Sequence, residues 1–153
     1  MNELKDDTGK MQFFAKCYQG LEQALHDELL AMGADELKVV PRGIHFTGDM
    51  KLLYTANYCS RLALRFLNKI VDFKARTEQE IYDATYDLVR WYDLMSEDKT
   101  FAIDVVMHSA HFKHSKFLAY KTKYGIVDQF KLSGRKRPTV DPDNPDYQIH
   151  LHI

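Results

Sequence analysis

Between Leu21 and Met32 the apolar residues Leu21, Ala24, Leu25, Leu29 and Met32 return at helical spacing, and Gly33 stands where a C-cap glycine belongs. The flanking segments are too short for helices. Gln12 to Cys17 reads as a strand ended by Gln19-Gly20. Glu36 to Val40 and Gly43 to Thr47 read as two more strands around the turn Pro41-Arg42-Gly43. Asp49 suits the N-cap of a second helix, from Met50 to about Asn57. Leu62 to Phe73, rich in Leu, Ile, Val and Phe, predicts a fourth strand. An isolated helix among short strands must lay its apolar stripe on a sheet. The order β-α-β-β-α-β satisfies this with one sheet backed by two helices.

That order is the ferredoxin-like sandwich, expected over residues 12–74. A second unit, residues 75–153, begins with the capping-box pair Thr77 and Glu80 ahead of Ile81, Ala84, Tyr86, Leu88 and Val89. Trp91, Tyr92, Leu94 and Met95 form an apolar knot expected in the core, and Thr100 to Met107 alternates as a strand with Ile103 and Val105 on one face. A helix follows, capped by Ser115 and stopped by Ser133-Gly134; Ala119, Ile126 and Phe130 share its inward face and the stem of Lys123 borders it. The proline- and aspartate-rich loop PTVDPDNPD then leads to a strand from Tyr147 to Ile153. The expected class is α+β. The sequence stops inside that strand, which leaves a raw sheet edge and suggests a piece of something longer.

Within 153 residues there is room for one ordinary domain or two small ones. The amino end MNELKDDTGK is polar, lacks the apolar core of a secretory signal, and reads as a disordered leader over residues 1–11. No apolar run approaches the length of a bilayer span, so no membrane is expected as a partner. Cys17 and Cys59 are too few for a disulfide framework and read as buried small hydrophobes in a reducing cytoplasm. Nothing in the residues sets an oligomeric state.

Charge carries the functional signal. From His108 to Arg137 the chain holds eight Lys and Arg and one acid, Asp128, a formal +7. The whole chain sums to −1, so the rest carries −8. Such segregation is the footprint of a surface that meets a polyanion. Phe112, Phe117, Tyr120 and Tyr124 are interleaved there and suit stacking on unpaired bases, which favours RNA. A solvated amphipathic helix with a lysine-rich outer face is the plainer reading of the same residues.

Reaction chemistry is harder to find. His108, His111 and His114 repeat every third residue, and His150 and His152 share a strand face, but no Cys lies near either group and solvated histidines explain them better than zinc. Asp141, Asp143 and Asp146 fail the EF-hand pattern, since Pro145 and Asp146 break it and no Glu follows; turn and capping duties fit them. There is no GxGxxG, GxxxxGK[ST] or GxSxG motif, and neither cysteine has the setting of an activated thiolate. The residues present a binding surface and no reaction centre.

Phe14, Gly20-Leu21-Glu22, Glu28-Leu29, Met32-Gly33-Ala34, Gly43-Ile44-His45-Phe46, Gly48-Asp49, Tyr54 and Ser60-Arg61-Leu62-Ala63 together resemble the amino end of bacterial THUMP-domain RNA methyltransferases. Phe101-Ala102, Lys113-His114-Ser115, Ala119-Tyr120-Lys121-Thr122-Lys123, Ile126-Val127-Asp128, Arg137-Pro138, Val140-Asp141 and Pro145-Asp146 resemble the THUMP module itself. The matches span nearly all of residues 12–153 and are specific jointly. The nearest group is similar to the large-subunit rRNA guanine-N2 methyltransferases. In that group a ferredoxin-like domain and a THUMP domain dock RNA, and a carboxy-terminal Rossmann-like domain transfers methyl from S-adenosylmethionine. That catalytic domain and the last strands of the THUMP sheet have no counterpart here, so the THUMP unit is expected to be incomplete and this fragment to hold no cofactor.

The resemblance implies RNA as partner, large-subunit rRNA first, with Lys113, Ser115, Lys121, Lys123 and Arg137 on the surface; charge alone adds Lys116, Arg135 and Lys136. Lys121 and Arg135 to Arg137 are expected at phosphates, and Tyr120 as a stacking face. Other readings stay open. THUMP domains also precede thiouridine synthase and tRNA methyltransferase domains, which would make tRNA the partner. A protein-interaction module using the last strand as an edge is a reading from another class. A metabolite-binding ferredoxin-like domain is disfavoured by the lack of a glycine-rich turn at a pocket.

Overall fold

The computed structural model describes residues 10–153. Most of the expected leader, residues 1–9, lies outside the described residues. The chain divides into two compact units, Met1–Ile70 and Val71–Ile153.

The first unit runs β1 (Met11–Lys16), α1 (Glu22–Ala31), β2 (Asp35–Val40), β3 (Gly43–Gly48), α2 (Met50–Cys59) and β4 (Arg65–Asn68). Its sheet has the order β2-β3-β1-β4, with every neighbouring pair antiparallel. Met11, expected in the leader, is the first residue of β1: it pairs with Gly48 and is buried. Phe13, Ala15 and Cys17 alternate inward from β1 and meet Leu25 and Leu29 of α1 and Leu52 and Ala56 of α2 in one core. Phe13 and Phe46 lie 5.4 Å apart between ring centroids, and Phe66 meets Phe46 edge-on. Phe13 and Phe46, both fully buried, each stabilise the unit by about 1.5–3 kcal/mol through burial.

Helix α1 ends as its sequence predicts. Gly33 takes φ 92°, its N–H donates to the Leu30 carbonyl, and the Ala34 N–H donates to the Leu29 carbonyl. Asp49 caps α2 by accepting from the Leu52 N–H at 2.7 Å. The fourth strand is shorter than expected, four residues in place of Leu62 to Phe73. It lies at the sheet edge and pairs with β1 alone, from Lys16↔Arg65 to Phe13↔Asn68. Two more bonds, Leu64 N–H to the Lys16 carbonyl and Lys69 N–H to the Gln12 carbonyl, carry the contact almost to both ends of the partner strand. Leu62 and Ala63 pack on the core outside any strand.

Two carboxylates explain residues that resemblance had picked out only as motifs. Glu22 accepts from the backbone N–H groups of Gly20 and Arg42, tying the start of α1 to the β2–β3 turn. These N–H bonds hold its carboxyl below the usual range, Arg42's first. Glu28 accepts from the Ser60 hydroxyl and the Arg61 N–H, joining α1 to the exit of α2. Cys17 is buried, and burial pushes its thiol pKa up, as an inert core residue requires. Cys59, expected buried, is exposed at the last position of α2.

The second unit runs α3 (Glu78–Asp87), α4 (Trp91–Leu94), β5 (Thr100–Val106), α5 (Ser115–Leu132), β6 (Thr139–Val140) and β7 (Tyr147–His152). Strand β5 lies centrally in a three-stranded sheet, parallel to both β6 and β7. Parallel neighbours need a crossover, and α5 supplies it. The capping box at Thr77 and Glu80 is formed in full. The helix stops at Asp87, leaving Leu88 half exposed beyond it and Val89 buried. Of the apolar knot, Trp91 and Met95 are buried while Tyr92 and Leu94 are half-buried. Phe112, expected as a stacking face, is 7% exposed and sits in a core with Ile81, Leu118 and Leu151. It cannot stack on a base.

Candidate nucleic-acid interface

Helix α5 buries Leu118, Thr122, Gly125, Ile126, Val127 and Phe130. Ala119, expected inward with Ile126 and Phe130, is half-buried. Gly125 lets α3 come close: a Cβ there would lie 2.9 Å from Thr85 Cβ and 3.1 Å from the Tyr82 carbonyl oxygen. Beside it the Tyr82 hydroxyl donates to Asp128 at 2.9 Å. Burial first, then this bond, pushes the Tyr82 pKa up to about 12. Gln129 donates to the Tyr86 and Val89 carbonyls and accepts from the Trp91 N–H, so one amide satisfies the end of α3 and the start of α4. The N-cap of α5 is His114, which makes no side-chain capping bond; Ser115, expected as the cap, is the first helical residue. At the other end Gly134 takes φ 73°, and the Arg135 N–H reaches the Phe130 carbonyl.

This framework separates the expected RNA-binding residues. Residues two apart on a helix point about 200° apart, so Lys121 and Lys123 cannot share a face. Lys121 is half-buried and its ammonium donates to Gln79 on α3 at 3.1 Å. Lys123 is half-buried as well, and its ammonium sits 5.5 Å from the ring centroid of Tyr120 and 4.9 Å from that of Tyr124. Lys116 and Tyr120 share the Lys123 face at i, i+4, i+7 spacing, and Phe117 (54%), Tyr120 (51%) and Tyr124 (48%) keep exposed ring surface. Lys113 and Ser115 are exposed at the helix entry.

After the helix, Arg135, Lys136 and Arg137 are all exposed. The Arg135 guanidinium lies 5.0 Å from the Tyr92 ring centroid, and the Lys136 N–H donates to Glu97 at 2.9 Å. Arg137, Pro138, Thr139 and Val140 line an open groove of about 340 Å³ whose other wall is Lys123. The fold therefore gathers Lys123 and Arg137 at one groove, with Lys116, Tyr120 and Tyr124 on the adjoining helix face, and leaves Lys121 on the α3 flank. Sequence reasoning had no signal for Tyr92 or Glu97, which lie on other segments and meet the basic loop only in the fold.

The acids that invited a calcium reading have structural partners. Asp141 accepts from the N–H groups of Asp143 and Asn144. Asp146 accepts from the Thr100 N–H, the Thr100 hydroxyl and the Lys99 ammonium, which hold its carboxyl below the usual range, the Thr100 N–H foremost. His150 Nδ1 lies 3.5 Å from Asp104, and the His114 ring meets Phe117 edge-on. Among the described residues no three His, Cys, Asp or Glu gather as a metal site, and no helix is long and apolar enough to cross a membrane.

Residues 75–153 match the THUMP domain and residues 12–67 the RlmL ferredoxin-like domain. The chain belongs to the THUMP family, with an RlmL-type ferredoxin-like domain ahead of its THUMP domain. It is 35% identical over 143 residues to a ribosomal RNA large subunit methyltransferase K/L of Syntrophotalea carbinolica, a match covering 94% of this chain and 20% of the relative. The chain thus spans about a fifth of that protein's length. Among solved structures, a predicted N6-adenine-specific DNA methylase from Listeria monocytogenes superposes with TM-score 0.81 at 21% identity, over 95% of this chain and 38% of the other. A 4-thiouridine synthetase, solved with RNA and ATP, superposes with TM-score 0.59 at 14% identity, over 93% and 38%. These likenesses establish the fold.

Proposed function

We propose that this chain is the RNA-recruiting front part of a cytoplasmic methyltransferase that modifies guanine N2 in large-subunit rRNA. The observation that carries the proposal is the Lys123–Arg137 groove beside the exposed rings of Tyr120 and Tyr124. Cations fix the register of a phosphate backbone, and aromatic faces accept unpaired bases. The name of the Syntrophotalea relative supports rRNA as the partner and methyl transfer as the reaction. A base in folded rRNA must leave its stack before its exocyclic amine is reached, at a cost of about a few kcal/mol. A platform away from the reacting atom supplies binding energy toward that cost.

The methyl donor, S-adenosylmethionine, is assigned to the part of such a protein that this chain does not span. The carboxylate-bearing groove of the first unit, among the described residues, does not fit it. A ribose wants a carboxylate acceptor in an adenosine-sized slot. Glu22, which lines a separate groove of the first unit with Val39, Val40 and Pro41, has both oxygens engaged by backbone N–H groups.

Fluorescence anisotropy with structured rRNA and tRNA pieces, over a range of salt, tests the proposal. Binding should weaken linearly in log–log form. In Lys116→Glu/Lys123→Glu/Arg137→Glu the slope should flatten by about 0.7–0.9 for each phosphate left without its cation. Preference for tRNA would move the partner to that class. Binding that ignores both salt and the charge reversals would defeat the RNA reading.

A further inference from the structure

The basic loop after α5 is fixed at consecutive residues. The Arg135 N–H bonds the Phe130 carbonyl, its guanidinium rests on the Tyr92 ring, and the Lys136 N–H bonds the Glu97 carboxylate. Pro138 is then buried, and Thr139 and Val140 pair with β5. Glu97 is held in turn by the Ser96–Lys99 turn, where the Lys99 N–H donates to the Ser96 carbonyl. It is half-buried and on a different segment from every cation of the loop. An acid beside a surface for polyanions is electrostatically adverse, because it repels the ligand that the cations attract. Its backbone bond gives it a reason to be there.

We propose that Glu97 is a positioning residue for RNA binding: it holds the Lys136 backbone so that Lys136 and Arg137 meet phosphates in a fixed register. The inference rests on the reading of this surface as an RNA platform. It makes that platform a reader of phosphate geometry in structured RNA, beyond a patch of charge. A loop fixed beforehand is not ordered at the moment of binding, so less affinity is lost.

The test compares the wild-type chain with Glu97→Ala, Glu97→Gln and Glu97→Asp, by anisotropy on one structured rRNA fragment and by thermal melting. Glu97→Ala should bind about three- to tenfold more weakly, the order expected when one or two side chains must be fixed on binding. Glu97→Gln keeps an acceptor oxygen and should stay within about twofold of wild type. Glu97→Asp keeps the charge but stops a methylene short, and should lose affinity as the alanine variant does. If Glu97→Ala melts early, the Asp and Gln pair decides alone. Alanine binding as well as wild type or better, while Lys116→Glu/Lys123→Glu/Arg137→Glu loses binding, overturns the positioning role and leaves the platform standing. Equal losses in Ala and Gln overturn it too. Wild type and the triple variant binding alike would defeat both readings.

Discussion

Asp128 is the one acid in the thirty residues from His108 to Arg137, and Tyr82 accounts for it. The hydroxyl donates to the carboxylate across the α3–α5 contact, and its pKa is pushed up to about 12. In the unfolded chain the phenol releases its proton near its ordinary value of 10. Between those values the folded state holds a proton that the unfolded state has lost, so the contribution is complete below pH 10 and fades as pH rises toward 12. Urea unfolding of wild type and Tyr82→Phe at several pH values checks this. The variant should be less stable by about 1.5–2 kcal/mol at neutral pH, the lower range for a bond to a charged group. The difference should shrink above pH 10. A constant difference up to pH 12 would contradict the assignment. Single-residue roles were the least legible part of the sequence. Phe112 and Phe117 have the same composition signal, yet one is core and the other surface, because Phe112 precedes the helix and turns under it. Cys59 follows an apolar helical pattern but ends it on the outer side.

At the scale of elements, legibility followed local chemistry. Both glycine-ended helices, the Asp49 cap and the Thr77–Glu80 box depend on residues a few positions apart, and they formed where expected. The fourth strand did not reach its expected length, because β1, distant in sequence, limits an edge strand. Helix faces decide the binding residues in the same way. Lys121 belongs to the motif Lys121-Thr122-Lys123, but packing turns it to α3, whose Glu78, Glu80, Asp83 and Asp87 form an acidic neighbourhood. Lys123→Ala should therefore weaken RNA binding about three- to tenfold, while Lys121→Ala should change it by less than about twofold and lower stability slightly. Anisotropy at one salt concentration, paired with melting curves, measures both. A larger loss from Lys121 would put the phosphate track on the α3 side.

For the whole molecule, the location of the charge matters more than its total. Met1–Ile70 holds nine Lys and Arg against nine Asp and Glu, a neutral unit. Val71–Ile153 holds twelve against thirteen, yet eight of its cations lie between His108 and Arg137 with one acid. The polarity is thus internal to the THUMP unit, with a basic α5 side and an acidic α3 among its remaining elements. Opposed charge on one small unit orients a polyanion as well as attracting it, since the wrong approach is repelled. If this polarity sets the electrostatic part of binding, residues 71–153 expressed alone should reproduce the log–log salt slope of the full chain to within about one neutralised phosphate. The intercept is free to differ, because any apolar or hydrogen-bonding contact made by the neutral unit would add affinity with little salt dependence. Parallel titrations of the two proteins across the same salt range measure slope and intercept separately. A slope that falls by the equivalent of about two phosphates or more in a folded 71–153 would place part of the phosphate track on the ferredoxin-like unit.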